Sequence, residues 1–356
     1  MAAIFETLPV EKFCGISEPL KRPREIACFS YDEWHRFRLD DSGLRYYYPP
    51  KLPVDLKAGF DTFIQRDESE DKHLNALLDT IIATEKDKGR KYDMDFVTWR
   101  GMMTKCASPF PPSCKDILTS SPFQRAKCET LLYLTITTGS ALTNDPLDML
   151  DLLKSLTLTT LSNLKNNQTE EETIEARESD VVNNNPQYCS LVRTGIGNIR
   201  MLLAGEVDAV WDCKPDKKDD PINWVELKTS ATIRHANDAI NFERKLLKFW
   251  VQSFLLGVPK IIVGRRDQDG YLLAIEEYTT DEIPNIPKRG ANTWDANTCI
   301  NFASQFLTWL KTIVNSEGVW KIRKAAKSGQ IEVLKTQETG HGNILTPEFV
   351  EWRSQG

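Results

Sequence analysis

The stretch that decides the fold is RMLLAGEVDAVWDCKPDKKDDPINWVELKTS, residues 200–230. It holds two short apolar runs, GEVDAVW and WVELKTS, and each run carries two charged residues one position apart. Alternate side chains of a β-strand point to the same face of a sheet, so Glu206 and Asp208 are predicted to share a face, as are Glu226 and Lys228. If the two strands pair, three carboxylates and one ammonium group converge.

Three converging carboxylates cannot all stay ionised unless a cation lies among them. The usual solution is a hard divalent metal with oxygen ligands, so we predict that Glu206, Asp208 and Glu226 hold Mg²⁺ or Mn²⁺. A metal held in this way activates water and stabilises the in-line displacement of a phosphoryl group. Lys228 is predicted to orient that water or to stabilise the developing negative charge. The pattern therefore predicts hydrolysis of a phosphodiester or pyrophosphate bond.

The alternative interpretation is two half-buried strands whose charged side chains are solvated on the outer face. A Glu-x-Asp pair standing alone in a strand is mostly of that kind. Here the flanking residues are apolar on both runs, which favours buried strands, where bare charges are disfavoured. Together with the following Glu-x-Lys pair, this favours the metal site.

Composition indicates an ordinary globular protein. The chain has 356 residues, 40% of them hydrophobic and 27% charged, with a net charge of −6. No linker rich in Pro, Gly or Ser divides it, so we predict one domain over residues 1–356. An acidic chain must bind RNA through a local basic patch. The candidate patch consists of Lys245, Lys248, Lys260, Arg265 and Arg266. The alternative is that these residues form an ordinary solvated surface with no role in binding.

Cysteine and histidine usage disfavours a zinc site. The eight cysteines form no Cys-x-x-Cys pair, and the four histidines show no metal-ligand spacing. The N-terminus MAAIFETLPVEKF is too acidic and too weakly apolar for a signal peptide, so reduced intracellular thiols are expected. No apolar run approaches the length of a membrane span, and no membrane partner is expected.

Two further polar residues lie in apolar surroundings. Arg100, in FVTWRGMMTK, is either a phosphate ligand or the partner in a structural ion pair. Gln252 lies on an amphipathic helix predicted over residues 241–256. Such an amide usually makes its hydrogen bonds within the protein, and contact with a ligand is the less common alternative. With another helix over residues 294–314, the pattern predicts an α+β fold, a mostly antiparallel or mixed sheet with helices against it.

Several motifs in order resemble a known family. They are EIACFS, DDSGLRYYYPP, TWRG, GEVDAVWD, VELKTS and KFWVQSFLLGVPKIIVGRRD. The combination resembles the eukaryotic decapping nucleases of the DXO/Rai type, in particular the fungal nuclear members, over residues 17–314 apart from an atypical segment at 105–160. The resemblance implies two mainly antiparallel or mixed β-sheets flanked by helices. It also implies an active-site pocket between the sheets and a PD-(D/E)xK-nuclease-like core.

The resemblance further implies an enzyme that acts on the 5′ ends of faulty RNAs. Members remove incomplete caps or NAD caps, release pyrophosphate from 5′-triphosphates, or degrade RNA from the 5′ end. Nuclear fungal members also bind and stabilise a 5′→3′ exoribonuclease, so that partner and a nuclear location are expected, with the cytoplasm as the alternative location. A DNA nuclease of the restriction-endonuclease type shares the Glu-x-Lys chemistry, but DNA is not the expected substrate.

The resemblance implies a role for each residue that matches a family motif. The implied metal ligands are Glu206, Asp208, Glu226 and the backbone carbonyl of Leu227, and the implied active-site lysine is Lys228. The RNA 5′ end is expected to contact Trp99, Arg100, Gly101, Glu206, Lys228 and Gln252.

One family motif, Gly-aromatic-Lys-aromatic-Glu, is missing from the atypical segment 105–160. Glu129 imitates it by local pattern, whereas similarity read backwards from TIEARESDVVNN places Leu156 at the glutamate position. The segment has about the length that the family shows, but it lacks the family's motif. Two explanations remain open: a reading-frame error in the deduced sequence, or true divergence. Divergence would remove a metal ligand and favour another function, that of a catalytically weakened protein that stabilises the exoribonuclease.

Overall fold

The computed structural model describes residues 2–58, 60–67, 73–107, 123–128, 131–136, 158–160, 181–217, 220–325 and 328–355. Glu129, Leu156 and most of the atypical segment lie outside these residues. The described strands are Ala3–Glu6 (β1), Leu20–Tyr31 (β2), Phe37–Arg38 (β3), Arg45–Tyr47 (β4), Val54–Asp55 (β5), Phe96–Trp99 (β6), Phe123–Cys128 (β7), Leu131–Ile136 (β8), Leu158–Thr160 (β9), Gln187–Ile196 (β10), Ile199–Glu206 (β11), Ala209–Val210 (β12), Trp224–Ala231 (β13), Lys260–Arg266 (β14), Tyr271–Thr279 (β15), Gly318–Arg323 (β16) and Gln330–Gln337 (β17). The described α-helices are Asn75–Lys88 (α1), Arg100–Ala107 (α2), Ala236–Leu256 (α3), Asn285–Arg289 (α4), Ala296–Ile313 (α5) and Pro347–Ser354 (α6).

The described strands form two mixed sheets. Sheet I has ten strands in the order β1-β17-β16-β7-β8-β6-β11-β10-β2-β3, and sheet II has seven in the order β5-β15-β14-β13-β12-β4-β9. In sheet I, β6 and β11 pair in parallel, while β10 and β11 form an antiparallel hairpin. In sheet II, β13 and β14 pair in parallel, and β14 and β15 form the hairpin that the Asp269-Gly270 turn predicts.

Strand alternation explains why sheet I is buried on both faces. On β11, Met201 and Leu203 pack into a core with α3, α5 and the inner face of sheet II. Leu202 and Ala204 point the other way, into a second core formed with α1 and α6. On β13, Val225 and Leu227 face a third, smaller core. Glu226 alternates with these two residues and therefore faces α3, between the sheets.

The helix α3 is longer than the sequence predicts. It begins at Ala236, five residues before the predicted start, because the Asp238 carboxylate accepts a hydrogen bond from the His235 backbone N–H at 2.9 Å and so caps the N-terminus. It ends where predicted, at Leu256, since Gly257 adopts a φ of 74° and terminates the helix with a left-handed cap. No helix in the described part of the chain combines the length and apolarity needed to cross a membrane.

The two carboxylates of Glu-x-Asp do not lie on one strand, which corrects the sequence prediction. β11 ends in sheet I at Glu206, and β12 begins in sheet II at Ala209. Val207 and Asp208 therefore cross from one sheet to the other. β12 then pairs with β13, Ala209 opposite Val225, so the crossing brings Asp208 beside the Glu-x-Lys strand.

A buried ion pair attaches α6 to α1. Glu85 is fully buried and accepts from Arg353 Nη2 at 2.5 Å, from Trp352 Nε1 at 2.7 Å and from the Tyr92 backbone N–H at 2.7 Å. Arg353 is only 4% exposed. The carboxylate is therefore fully hydrogen-bonded, as a buried charge must be.

We expect Arg353→Ala to lower the free energy of unfolding by about 3 to 5 kcal/mol, because it leaves the Glu85 carboxylate buried without its counter-charge. Urea denaturation followed by fluorescence measures this change. The matched control is Arg323→Ala, whose ion pair with Glu332 lies at the surface with the arginine 59% exposed, and which should change stability little. Equal effects of the two substitutions would contradict the assignment.

Candidate active site

Arg100 lies at the centre of the site. It is the first residue of α2, directly after β6, and β6 pairs in parallel with β11, placing Trp99 beside Ala204. This register brings the arginine to the end of β11. Its Nη1 donates to Glu226 Oε1 at 3.1 Å, and its Nη2 donates to the backbone carbonyl of Glu206 at 3.4 Å. One guanidinium therefore joins the two sheets.

All three predicted carboxylates act on this guanidinium. Burial lowers the pKa of Arg100, but the carboxylates of Glu226, Asp208 and Glu206 together raise it above its ordinary value. Glu226 is 2% exposed and Asp208 is 6% exposed. The structure thus gathers the predicted carboxylates around a buried cation.

Glu226 and Lys228 share one face of β13, as the two-residue alternation predicts. Lys228 Nζ lies 2.6 Å from Glu226 Oε1, the same oxygen that Arg100 contacts. The ammonium group also lies 5.8 Å from the ring centre of Phe249 on α3. Lys228 is therefore held between strand and helix, next to the carboxylate that it is predicted to assist.

Asp208 is fixed by the backbone of β13. Its Oδ2 accepts a hydrogen bond from the Leu227 backbone N–H at 2.7 Å. β12 and β13 pair only at Ala209–Val225 and Val210–Trp224. The Asp208 side chain therefore supplies a hydrogen-bond acceptor to β13 one residue before β12 begins. The bond places the backbone of Leu227, whose carbonyl is a predicted ligand, next to Asp208.

Glu206 is the most accessible of the three carboxylates, being half-buried. It lies opposite Cys189 on β10, and Gln187 Nε2 approaches Glu206 Oε2 at 3.5 Å, a long contact. Gln187 has no place in the sequence prediction. The signal that could have found it is the β10–β11 hairpin register, which brings the start of β10 to the end of β11.

The other predicted substrate residues differ in their surroundings. Gln252 Oε1 is buried on α3 and accepts no hydrogen bond from a residue that the structure describes, which favours the ligand reading over the satisfied polar group. Gly101 is exposed, and a Cβ there would meet no atom within 4 Å. Trp99 already donates its indole N–H to the carbonyl of His73 at 2.8 Å, so only its ring surface is left to contact a ligand.

The predicted basic patch does not form as one surface. Arg265 is 4% exposed, donates to Glu276 at 2.6 Å and lies 3.8 Å from the Phe242 ring centre. Lys260 pairs with Glu277 at 3.0 Å at the other end of β14. Both cations are therefore engaged within sheet II, because hairpin pairing with β15 places carboxylates beside them. Lys245 and Arg266 instead line a cavity at the far end of β13.

The donor set suits a hard divalent cation. Carboxylates and a backbone carbonyl are the ligands that Mg²⁺ and Mn²⁺ prefer. Across the described ranges, no three Asp, Glu, His or Cys side chains lie close enough together to hold a metal ion. Arg100 and Lys228 supply the positive charge at Glu226. The oxygen donors of these residues are therefore of the type that binds a divalent cation. In this structure, Arg100 and Lys228 neutralise the Glu226 carboxylate instead.

Gly205 is a further residue that sequence reasoning missed. A Cβ on it would lie 2.7 Å from Leu256 Cδ1 and 2.9 Å from Arg100 Cβ. Only glycine lets α2 approach β11 closely enough for Arg100 to reach Glu226. Its position directly before Glu206 is visible in the sequence, but the close approach depends on the pairing of β6 with β11.

Two buried carboxylates, Asp208 directly before β12 and Glu226 on the neighbouring strand β13, with a lysine two residues after Glu226, form the arrangement of a nuclease of the PD-(D/E)XK type, a class of phosphodiester hydrolases. The chain belongs to the family described as RAI1 like PD-(D/E)XK nuclease, whose model matches residues 21–116 and 155–350. This membership confirms the predicted family resemblance, the fold class and the enzyme class. Residues 117–154, within the atypical segment, are left unmatched by the family model.

Similar proteins agree over almost the whole chain. Decapping nuclease RAI1 of Emericella nidulans is 52% identical over 352 residues, covering 98% of each chain. The protein of the same name from Aspergillus fumigatus is 51% identical and covers 99% of this chain and 98% of its own.

Among solved structures, Candida albicans Rai1 in complex with pU5-Mn²⁺ has a TM-score of 0.85 at 29% identity and covers 99% of both chains. Scheffersomyces stipitis Rai1 in complex with (3′-NADP)⁺ and calcium ion has a TM-score of 0.81 at 25% identity and covers 98% of this chain and 99% of that one. Both of these solved relatives contain a divalent cation, the kind of metal that the sequence predicts for this site.

We expect Gly205→Ala to destabilise the protein by about 1 to 3 kcal/mol, since the new methyl group overpacks the contact between α2 and β11. Thermal unfolding monitored by circular dichroism measures the change. Gly101→Ala, one residue after Arg100 and free of steric contact, is the control and should not lower the melting temperature. A melting temperature of the Gly205 variant equal to that of the wild type would refute the close-approach argument.

Proposed function

We propose that this chain is a metal-dependent decapping nuclease that hydrolyses the 5′ ends of faulty RNAs. The expected substrates are RNAs with incomplete caps, NAD caps or 5′-triphosphates. The observation that supports this best is the position of Glu226, buried at the junction of the sheets and contacted by both Arg100 and Lys228. A phosphate group that enters the site can replace the Glu226 carboxylate as the partner of Arg100 or of Lys228. The names of the relatives add the substrate class.

In the proposed mechanism, Glu206, Asp208, Glu226 and the Leu227 carbonyl would hold a divalent cation. When bound, that cation supplies an activated water and stabilises charge on the phosphoryl group. Arg100 binds the 5′ phosphates and neutralises their charge as it increases. Gln252 uses its buried amide oxygen to fix the 5′ end. Lys228, held by Phe249, orients the attacking water and stabilises the negative charge that builds up on the phosphate oxygens.

A second candidate function is a catalytically weakened protein that binds and stabilises a nuclear 5′→3′ exoribonuclease. The observation that favours it is the missing acidic family motif in the atypical segment 105–160, of which the family model leaves residues 117–154 unmatched. The positions of Glu226, Asp208 and Lys228 at the sheet junction favour the hydrolase. A nuclear location and the exoribonuclease partner belong to the proposal under both functions.

We expect the double variant Glu226→Gln with Asp208→Ala to lose about a thousandfold or more in hydrolysis rate, because it removes two of the oxygen ligands. Purified protein with Mg²⁺ or Mn²⁺ is given RNAs bearing a triphosphate, an unmethylated guanosine cap or an NAD cap, and the products are separated. Release of pyrophosphate, intact cap or NAD identifies the reaction.

Far-UV circular dichroism of the same variant establishes that it is folded. Hydrolysis retained by the folded variant would place the active site elsewhere. No product from the wild type with any of the RNAs would refute the hydrolase and leave the exoribonuclease-stabilising function, which the half-life of that exoribonuclease at raised temperature then tests.

A further inference from the structure

A cavity lies at the C-terminal end of β13, beyond Glu226 and Lys228 along the strand. Its volume is about 360 Å³, and it is lined by the ends of β13 and β14 and by the first turns of α3. Three basic side chains reach it from three segments: Arg234 from the loop before α3, Lys245 from α3 and Arg266 from the end of β14. Thr232 and Asn241 add uncharged polar groups.

These three cations differ from most of the basic residues near the site. Arg100, Lys228, Lys260 and Arg265 are each paired with a glutamate. Arg234, Lys245 and Arg266 form no ion pair with any residue in the described ranges, and Arg266 Nε is buried without a hydrogen-bond acceptor there. In a chain of net charge −6, cations left available around one cavity favour an anionic ligand.

Two carboxylates also line the cavity, but both are occupied by backbone groups. Asp238 Oδ2 accepts from the N–H groups of Arg234 and His235, and these bonds lower its pKa. Asp267 Oδ1 accepts from the Tyr271 N–H at 2.8 Å. Neither side chain forms a salt bridge with the three cations, although the charge of Arg234 also lowers the pKa of Asp238. Arg266 Nη1 makes only a long contact, 3.4 Å, with the Asp267 carbonyl, so its guanidinium and the Lys245 ammonium group can still bind a phosphate.

The cavity continues the line of the active site. On β13, Glu226, Lys228 and Ser230 share a face, and Ser230 lines the cavity. From Glu226 to Ser230 the strand advances about 13 Å.

The helix α3 follows the same line in the opposite direction. Phe249 lies beside Lys228 of β13, and Gln252 follows three residues later on the helix. Lys245 lines the cavity two turns before Gln252, about 10 Å away along the helix. Strand and helix thus both run from the region of the carboxylates to the three cations.

We propose that this cavity binds backbone phosphates of the RNA body, a few nucleotides downstream of the 5′ end that is hydrolysed. The inference rests on the proposed function in taking RNA as the ligand. Lys245 and Arg266 contact the phosphates directly, and Arg234 supports them at the rim. The enzyme therefore recognises a cap or triphosphate that is attached to a chain, and it binds a short capped fragment less tightly.

The test is the affinity for RNA as a function of its length. Triphosphate RNAs from a dinucleotide to an octamer carry a 3′ fluorophore, and binding is followed by anisotropy with EDTA present, so that hydrolysis plays no part. We expect the wild type to gain affinity once the RNA is long enough to reach the cavity. In Lys245→Ala with Arg266→Gln, affinity for the octamer falls about tenfold, and the slope of log Kd against log salt falls by about 1.4, or about 0.7 for each lost phosphate contact.

The control removes the same charge from an exposed position outside the cavity. Lys288→Ala with Arg289→Gln on α4 should keep the gain in affinity with length. An equal loss in both variants, or no gain with length in the wild type, overturns the inference even when product analysis establishes hydrolysis. A cavity that takes a free anion would instead bind inorganic phosphate in a calorimetric titration, and the octamer would lose no affinity in the variant, which also overturns it.

Discussion

The contact of Arg100 with Glu226 is the interaction on which the rest of the site depends. It joins a helix that follows sheet I to a buried carboxylate of sheet II, with 13% of the arginine side chain and 2% of the glutamate exposed. Such a pair is not a source of net stability, because desolvation offsets most of its Coulomb energy. Its value lies in placement, since a buried carboxylate that lost this partner would have to find another cation or take up a proton.

Chain topology supplies that placement. The crossing at Val207 and Asp208 is short, so the last residue of β11 and the first residue of β12 belong to different sheets and yet lie close together. The carboxylates of Glu206 and Asp208 consequently both lie near enough to Arg100 to raise its pKa. This arrangement keeps the charged groups in a layer between two apolar cores, where the dielectric is low and a bound phosphate interacts strongly.

Much of this could be predicted from the sequence, and the limits have physical reasons. The alternation of Glu226 and Lys228 is a local property of one strand, so it could be predicted correctly. The same alternation predicted that Glu206 and Asp208 share a face of one strand. That prediction was wrong, because the local pattern does not show where a strand ends and the chain passes to another sheet. The basic patch was wrong for Lys260 and Arg265 because their partners lie across a hairpin, and the close approach at Gly205 depends on a parallel pairing between distant segments.

The ion pair between Glu85 and Arg353 has a consequence for the order in which the molecule is built. The two residues are 268 positions apart, so the ribosome delivers the glutamate long before its arginine. Until then, the α1 carboxylate must stay in contact with water, and the core beneath α1 cannot close around it. The helix α6 therefore completes the outer layer of sheet I only after the carboxylates and the lysine of the nuclease site have been synthesised.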